Sequence, residues 1–147
     1  NLVLGDCPVS DRGLQRLAGQ HQLRWLDLTG TMVSDKGFSF LAESTQLEQL
    51  SLERTRITDH SLEVLAGMKN LEELDLSGTE VTDAGISSLS GLRQLKRLWL
   101  TGTMVSDKGL QHLEPLKQLE LLELSGTDVS QEKLKALRAT LPGLKEN

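Results

Sequence analysis

The sequence predicts an α/β solenoid, a stack of short strands and short helices, and three observations carry that expectation. A pattern recurs every 24 residues without insertions, in register at Leu23, Leu47, Leu71, Leu95 and Leu119. Within each unit Leu returns at the fourth and sixth positions, alternating with polar residues: Leu26 and Leu28, Leu50 and Leu52, Leu74 and Leu76, Leu98 and Leu100, Leu122 and Leu124. Each alternating run then leads to a Ser or Thr at position twelve, followed in most units by Asp, the pair that opens a helix. A fixed internal period of this length marks a repeat architecture.

Each part of the unit follows in order. Alternation at positions four and six gives a short strand with one buried side. Such a strand cannot bury that side alone, and stacking the next unit on it makes a continuous core. Position nine is Thr31, Thr55, Thr79, Thr103 and Thr127, in the turn after the strand, and position eleven is Val33, Ile57, Val81, Val105 and Val129. Ser10, Ser34, Thr58, Thr82, Ser106 and Ser130 are good N-caps, and Asp11, Asp35, Asp59, Asp83 and Asp107 follow where a carboxylate faces the positive end of a helix dipole. Leucines at sixteen and nineteen, such as Leu62 and Leu65, have helical spacing and point inward, with Phe38 and Ile86 taking the sixteenth place in two units. An incomplete unit at the front fits the same frame through Leu2, Leu4, Cys7, Val9, Asp11, Gly13 and Leu14.

Written as LxxLxLxxTxVTDxGLxxL, this unit resembles the leucine-rich repeat family. Its Thr-Asp-x-Gly-Leu variant looks most like bacterial members and is similar to the cysteine-containing type of eukaryotic ubiquitin-ligase receptors. The resemblance implies a right-handed solenoid bent into a horseshoe arc, with a parallel sheet on the concave side and helices on the convex side. On that frame the chain is one domain, residues 1–147, with a partial unit 1–22, units 23–46, 47–70, 71–94, 95–118 and 119–142, and a C-terminal cap over about 130–147.

Composition removes several function classes. Leu supplies 32 of the 147 residues, regularly placed, which argues against disorder. One Cys forms neither an internal disulfide nor a cysteine-rich zinc site. No apolar stretch approaches the ~18–20 residues of a membrane span. A net charge of −5 argues against broad nucleic-acid binding, which draws its affinity from Lys and Arg on phosphates. One Cys fits a reducing cytosol and many secreted bacterial proteins alike, so the compartment is open, with the cytoplasm favoured.

Columns of identical residues become ladders in a stack, and each is weighed as a site. The Thr column is expected to be interior and to satisfy turn backbone rather than to supply nucleophiles, since no His or Lys accompanies it. Cys7 is expected to be a small buried side chain on the first rung, unless exposure at the end makes it reactive. Helix capping accounts for the Asp column without a metal. Gly13, Gly37, Gly85 and Gly109 lie three residues into each helix, outside any strand-GxGxxG-helix context, and fit close packing between helices. His21, His60 and His112 do not cluster at ligand spacing and are expected in solvent. These readings leave no catalytic residues, no metal and no cofactor; the chain is expected not to be an enzyme.

What remains is the concave face, where strand positions three, five and seven point outward. Both tryptophans fall there, Trp25 and Trp99, and so does Leu121, where the pattern would place something polar. Exposed Trp is strongly enriched at binding hot spots. Three strands apart at ~4.8 Å each, the two indoles are expected ~14–15 Å apart at the backbone, too far to stack and flanking an acidic centre. Around them sit Asp27, Glu53, Glu73, Asp75 and Glu123, with Arg97 the only base. These nine residues are the candidate partner-binding set. Singly exposed apolar residues are also ordinary on protein surfaces. Residues 29–37 and 101–109 are the same nine residues, and they belong to the two units that carry Trp, with Met32 and Met104 on the adjoining rim. An internal duplication by three units explains the identity without a function. The middle unit departs from pattern with Glu53, Arg54, Arg56, His60 and Ser61, a charged corner expected in solvent.

The functional expectation is a non-catalytic module that binds a protein or peptide, one with basic residues, and neither nucleic acid nor membrane. The alternative is a substrate-targeting or regulatory part of a larger enzyme, such as a ubiquitin-ligase receptor or a kinase fusion. The front end opens inside a strand, Leu2-Val3-Leu4, an edge where copies would pair in crystals, and suggests a piece of a longer protein.

Overall fold

A computed structural model describes residues 1–145; the last two residues of the expected cap lie outside the described residues. Six strands form one parallel sheet in sequence order: β1 Leu2–Val3, β2 Trp25–Asp27, β3 Gln49–Ser51, β4 Glu73–Asp75, β5 Arg97–Trp99 and β6 Leu121–Glu123. Every pairing is offset by one unit, Leu26 facing Leu50, Leu50 facing Leu74, and Leu74 facing Leu98, so each sequence column is a row across the sheet. The sheet is open, with short helices behind it: the α/β solenoid that the spacing predicts. A second row of bridges, from Ser10 with Met32 to Ser106 with Asp128, holds the segments that enter the helices.

The strands are short because the unit allows only one inward residue in each. In β3, β4 and β6 the middle Leu is buried between two half-buried neighbours. Leu26, Leu28, Leu74, Leu76, Leu98 and Leu100 are all closed to solvent, each worth ~1.5–3 kcal/mol of burial. Toward the front of the stack the same columns open: Leu2, Leu4, Val9, Leu17 and Leu23 are half-buried, as are Leu124, Val129 and Leu134 at the back. A core made of neighbours thins where a unit is covered on one side only.

The helices are α1 Asp11–Leu14, α2 Asp35–Phe38, α3 Asp59–Leu65, α4 Asp83–Ile86, α5 Asp107–Leu110 and α6 Gln131–Thr140. Four are single turns that tighten into 3₁₀ geometry, over Gln15–Leu17, Ser39–Leu41, Ser87–Gly91 and Gln111–Leu113. These four carry Gly at their third position. The two that run on as α-helix, α3 and α6, carry Ser61 and Lys133 there, consistent with the low helix propensity of Gly.

Two columns show what holds unit to unit. The Thr column is interior and serves its own turn. The hydroxyls of Thr31, Thr55, Thr79 and Thr103 donate to the carbonyls of Leu28, Leu52, Leu76 and Leu100 at 2.6–2.7 Å. The Asp column does more than the expected capping. Each carboxylate reaches into the following unit and accepts both the N–H and the hydroxyl of its cap residue. Asp11 holds Ser34, Asp35 holds Thr58, Asp59 holds Thr82, Asp83 holds Ser106 and Asp107 holds Ser130, at 2.6–2.9 Å. The glycines make room for this link. A Cβ on Gly37, Gly85 or Gly109 would come inside 3 Å of the carboxylate of Asp11, Asp59 or Asp83. In the unit without that glycine, the Ser61 hydroxyl donates to Asp35 at 2.6 Å instead.

Candidate functional site

The face of the sheet turned away from the helices presents two rows. Position three reads Trp25, Gln49, Glu73, Arg97 and Leu121; position five reads Asp27, Ser51, Asp75, Trp99 and Glu123. The indoles therefore lie on one face, offset diagonally. Three strand spacings and a two-residue step place their backbones ~16 Å apart. Trp25 is 39% exposed and Trp99 is half-buried. Between them lies a depression of about 220 Å³ lined by Trp25, Gln49, Ser51, Glu73, Asp75 and Trp99. Trp99 is also a wall of the next depression, about 390 Å³, with Arg97, Glu120, Leu121 and Lys145. Lys145 joins because its N–H bonds to the Glu120 carbonyl at 3.0 Å, as Glu120 N–H does to Lys96 at 2.8 Å.

The remaining candidates lie apart. Asp27 sits toward the front edge, where a Cβ on Gly5 would stand 3.1 Å from its carboxylate. Glu53 stands at the turn above the sheet, its carboxylate accepting from Arg54 Nη1 at 2.9 Å. Glu123 lines a third depression with Leu124, Ser125 and Arg138 near the C-terminal helix.

Within the central depression the two acids differ. Glu73 Oε1 accepts from Arg97 Nη1 at 2.8 Å and from Gln49 Nε2 at 3.2 Å. Asp75 Oδ1 accepts the N–H of Ser77 at 2.8 Å, closing the turn after its strand, as Asp27 does for Thr29 at 2.9 Å. The Ser51 hydroxyl bonds that of Thr29 at 2.7 Å.

Several side chains stand elsewhere than the sequence suggests. Cys7 is exposed rather than buried, because the first rung is covered from one side only. His112 is half-buried, while His21 and His60 are exposed. Of the charged corner, Arg54, Arg56 and His60 are exposed, Glu53 is half-buried and Ser61 is buried against Asp35 rather than in solvent. Arg54 pairs with Glu53 at 2.9 Å and with Asp6 at 3.3 Å, across Gly30. Asp6 and Arg54 occupy the column held by glycines with φ of 65° to 70° in the other units, and both take positive φ themselves, 55° and 53°. That conformation disfavours side chains with a Cβ. Replacement of Gly in this column was the sequence signal for this contact.

Asp35, Thr58 and His60 bring a carboxylate, a hydroxyl and an imidazole together, with Thr58 Oγ1 at 3.3 Å from His60 Nδ1. The hydroxyl proton is committed to Asp35 at 2.7 Å, so the set is a structural link rather than an activated nucleophile. Partial burial works to raise the Asp35 pKa. The donors from Ser61 and Thr58 and the charge of His60 outweigh it and hold the carboxyl below its ordinary 3.8. The same opposition, won by the hydrogen bonds of the following unit, lowers Asp11 and Asp83. Among the described residues no group of three or more His, Cys, Asp or Glu is placed to hold a metal ion, and no helix is long and apolar enough to cross a membrane.

Comparison with known proteins agrees with this architecture. Residues 45–105 match the family model described as leucine rich repeat. An internalin from Listeria monocytogenes superposes with a TM-score of 0.77 at 23% identity, over 89% of this chain and 36% of its own. An internalin C2 from the same organism superposes with a TM-score of 0.73 at 27% identity, over 97% of this chain and 67% of its own. The chain thus spans about a third of the first neighbour and two thirds of the second. No curated protein matches by sequence.

Proposed function

We propose that this chain, a leucine-rich repeat protein, is a non-catalytic module that binds a protein or peptide partner across the open face of its sheet. Leucine-rich repeat proteins of the internalin type are commonly protein-interaction modules. The observation that carries the reading to this face is the shared depression: both tryptophans of the protein wall one concavity on the open face of the sheet. Large aromatic side chains supply contact area at little entropic cost and dominate hot spots. Leu121 and Arg97 extend the same surface toward the C-terminal end, beside Trp99. Partner segments with basic residues suit its acids.

The test is the double variant Trp25→Ala, Trp99→Ala, immobilised beside the native chain and panned against a displayed random-peptide library and against source-organism extract. The native chain retains binders and the variant loses them. Its melting temperature falls by less than ~4 °C, because the indoles are not part of the Leu core. Equal retention by both proteins would remove this face from consideration.

A further inference from the structure

Resting on that reading, we infer that the depression between the indoles receives one basic side chain of the partner segment, with Asp75 as its counter-charge. The only ionisable groups lining it are Glu73 and Asp75. Glu73 is already neutralised by Arg97 at 2.8 Å. Asp75 is bonded to a neutral amide and enters no ion pair among the described residues. The depression therefore carries close to one uncompensated negative charge, and it sits at Asp75.

Geometry puts that charge beside an aromatic ring. Asp75 and Trp99 are register partners on adjoining strands, ~4.8 Å apart at the backbone. Both side chains line the same depression, so a cation drawn to the Asp75 carboxylate also meets the indole of Trp99. Trp25 lies two strands away on the other side, where the aliphatic stem of a long side chain would run. An uncharged occupant would strip water from the Asp75 carboxylate and return nothing, which is strongly unfavourable. A guanidinium or ammonium group returns both an ion pair and a stacked contact.

The probe is the capped tripeptide acetyl-Gly-Arg-Gly-amide, titrated against the native protein by tryptophan fluorescence, with lysine and citrulline in place of arginine as parallel arms. Citrulline keeps the shape and removes the charge. The arginine peptide saturates and binds at least about tenfold more tightly than the citrulline one, the scale of one ion pair with one cation–π contact. Asp75→Asn, which keeps the acceptor for Ser77, weakens it about fivefold, whereas Glu80→Gln, an exposed acid outside the depression, changes it less than about twofold. Arg97→Gln tightens it by freeing Glu73. Equal binding of arginine and citrulline, equal losses in Asp75→Asn and Glu80→Gln, or no saturable signal each overturns the assignment. If peptide capture still collapses in the double Trp variant, the face reading stands without it; if capture survives, the face reading falls independently.

Discussion

The glycine at the third helical position shows how much one missing methyl group decides. A Cβ on Gly85 would meet the Asp59 carboxylate inside 3 Å, and the Leu62 Cδ2 at 3.0 Å. Gly85→Ala is therefore expected to cost ~1–3 kcal/mol in urea denaturation, the penalty of overpacking. A Cβ on Gly13 would stand 3.3 Å from Val9 Cγ1, with no carboxylate within 4 Å among the described residues. Gly13→Ala should be neutral or stabilising by up to ~1 kcal/mol. Gly85→Ser should recover part of the Gly85→Ala loss, since Ser61 already serves Asp35 in this way at 2.6 Å. The contrast between columns explains what was legible. The Thr hydroxyls act three residues back in their own chain, so local spacing identifies them. The Asp partners lie 23 residues on, and a Ser-Asp or Thr-Asp pair looks the same whether its carboxylate caps its own helix or the next.

At the scale of the helical elements, these forward links tie stability to pH. Asp11, Asp35 and Asp83 have their carboxyl groups lowered below 3.8 in the folded protein. Their contribution is complete above that value and is lost as pH falls through the lower folded values. Urea midpoints should hold between about pH 7 and 5 and then drop steeply below about pH 4. Asp35→Asn should lower the midpoint near neutrality and flatten the acid limb, because the titrating group is gone. A limb of unchanged slope in the variant would place the acid sensitivity elsewhere. The division of helices into single turns and longer runs coincides with the third-position glycines, which the sequence pattern alone explains equally by close packing between helices. The pairing of Arg54 with Asp6 was not legible in the sequence. It joins residues 48 apart across an intervening unit, and only the shared break in the glycine column hints at it.

Over the whole molecule, burial is graded along the stack rather than uniform. The inward leucines of β3, β4 and β5 are closed to solvent, while in the first unit Leu2 and Leu4 are only half-buried. Amide hydrogen exchange should be slowest in β4 and β5 and fastest at β1, with intermediate values at β6. Uniform protection would mean that the stack opens only as one block. The candidate face was legible for the same reason as the core: alternate positions of a strand face opposite ways, and register turns columns into rows. What spacing alone left out was side-chain pairing within that face. Neutralisation of Glu73 by Arg97 depends on rotamers reaching across strands, and it separates two acids that composition counts as equal.

Because every carboxylate of the Asp column grips only its successor, the stack has a sense of travel, like a chain of couplings with hooks all facing forward. Removing or inserting a complete 24-residue segment leaves each junction with a hook and an eye, whatever segment supplied them. A copy by three whole segments would account for the identical stretch at 29–37 and 101–109. Growth by whole carriages is cheap for this protein, while a shift of a single residue would uncouple the train.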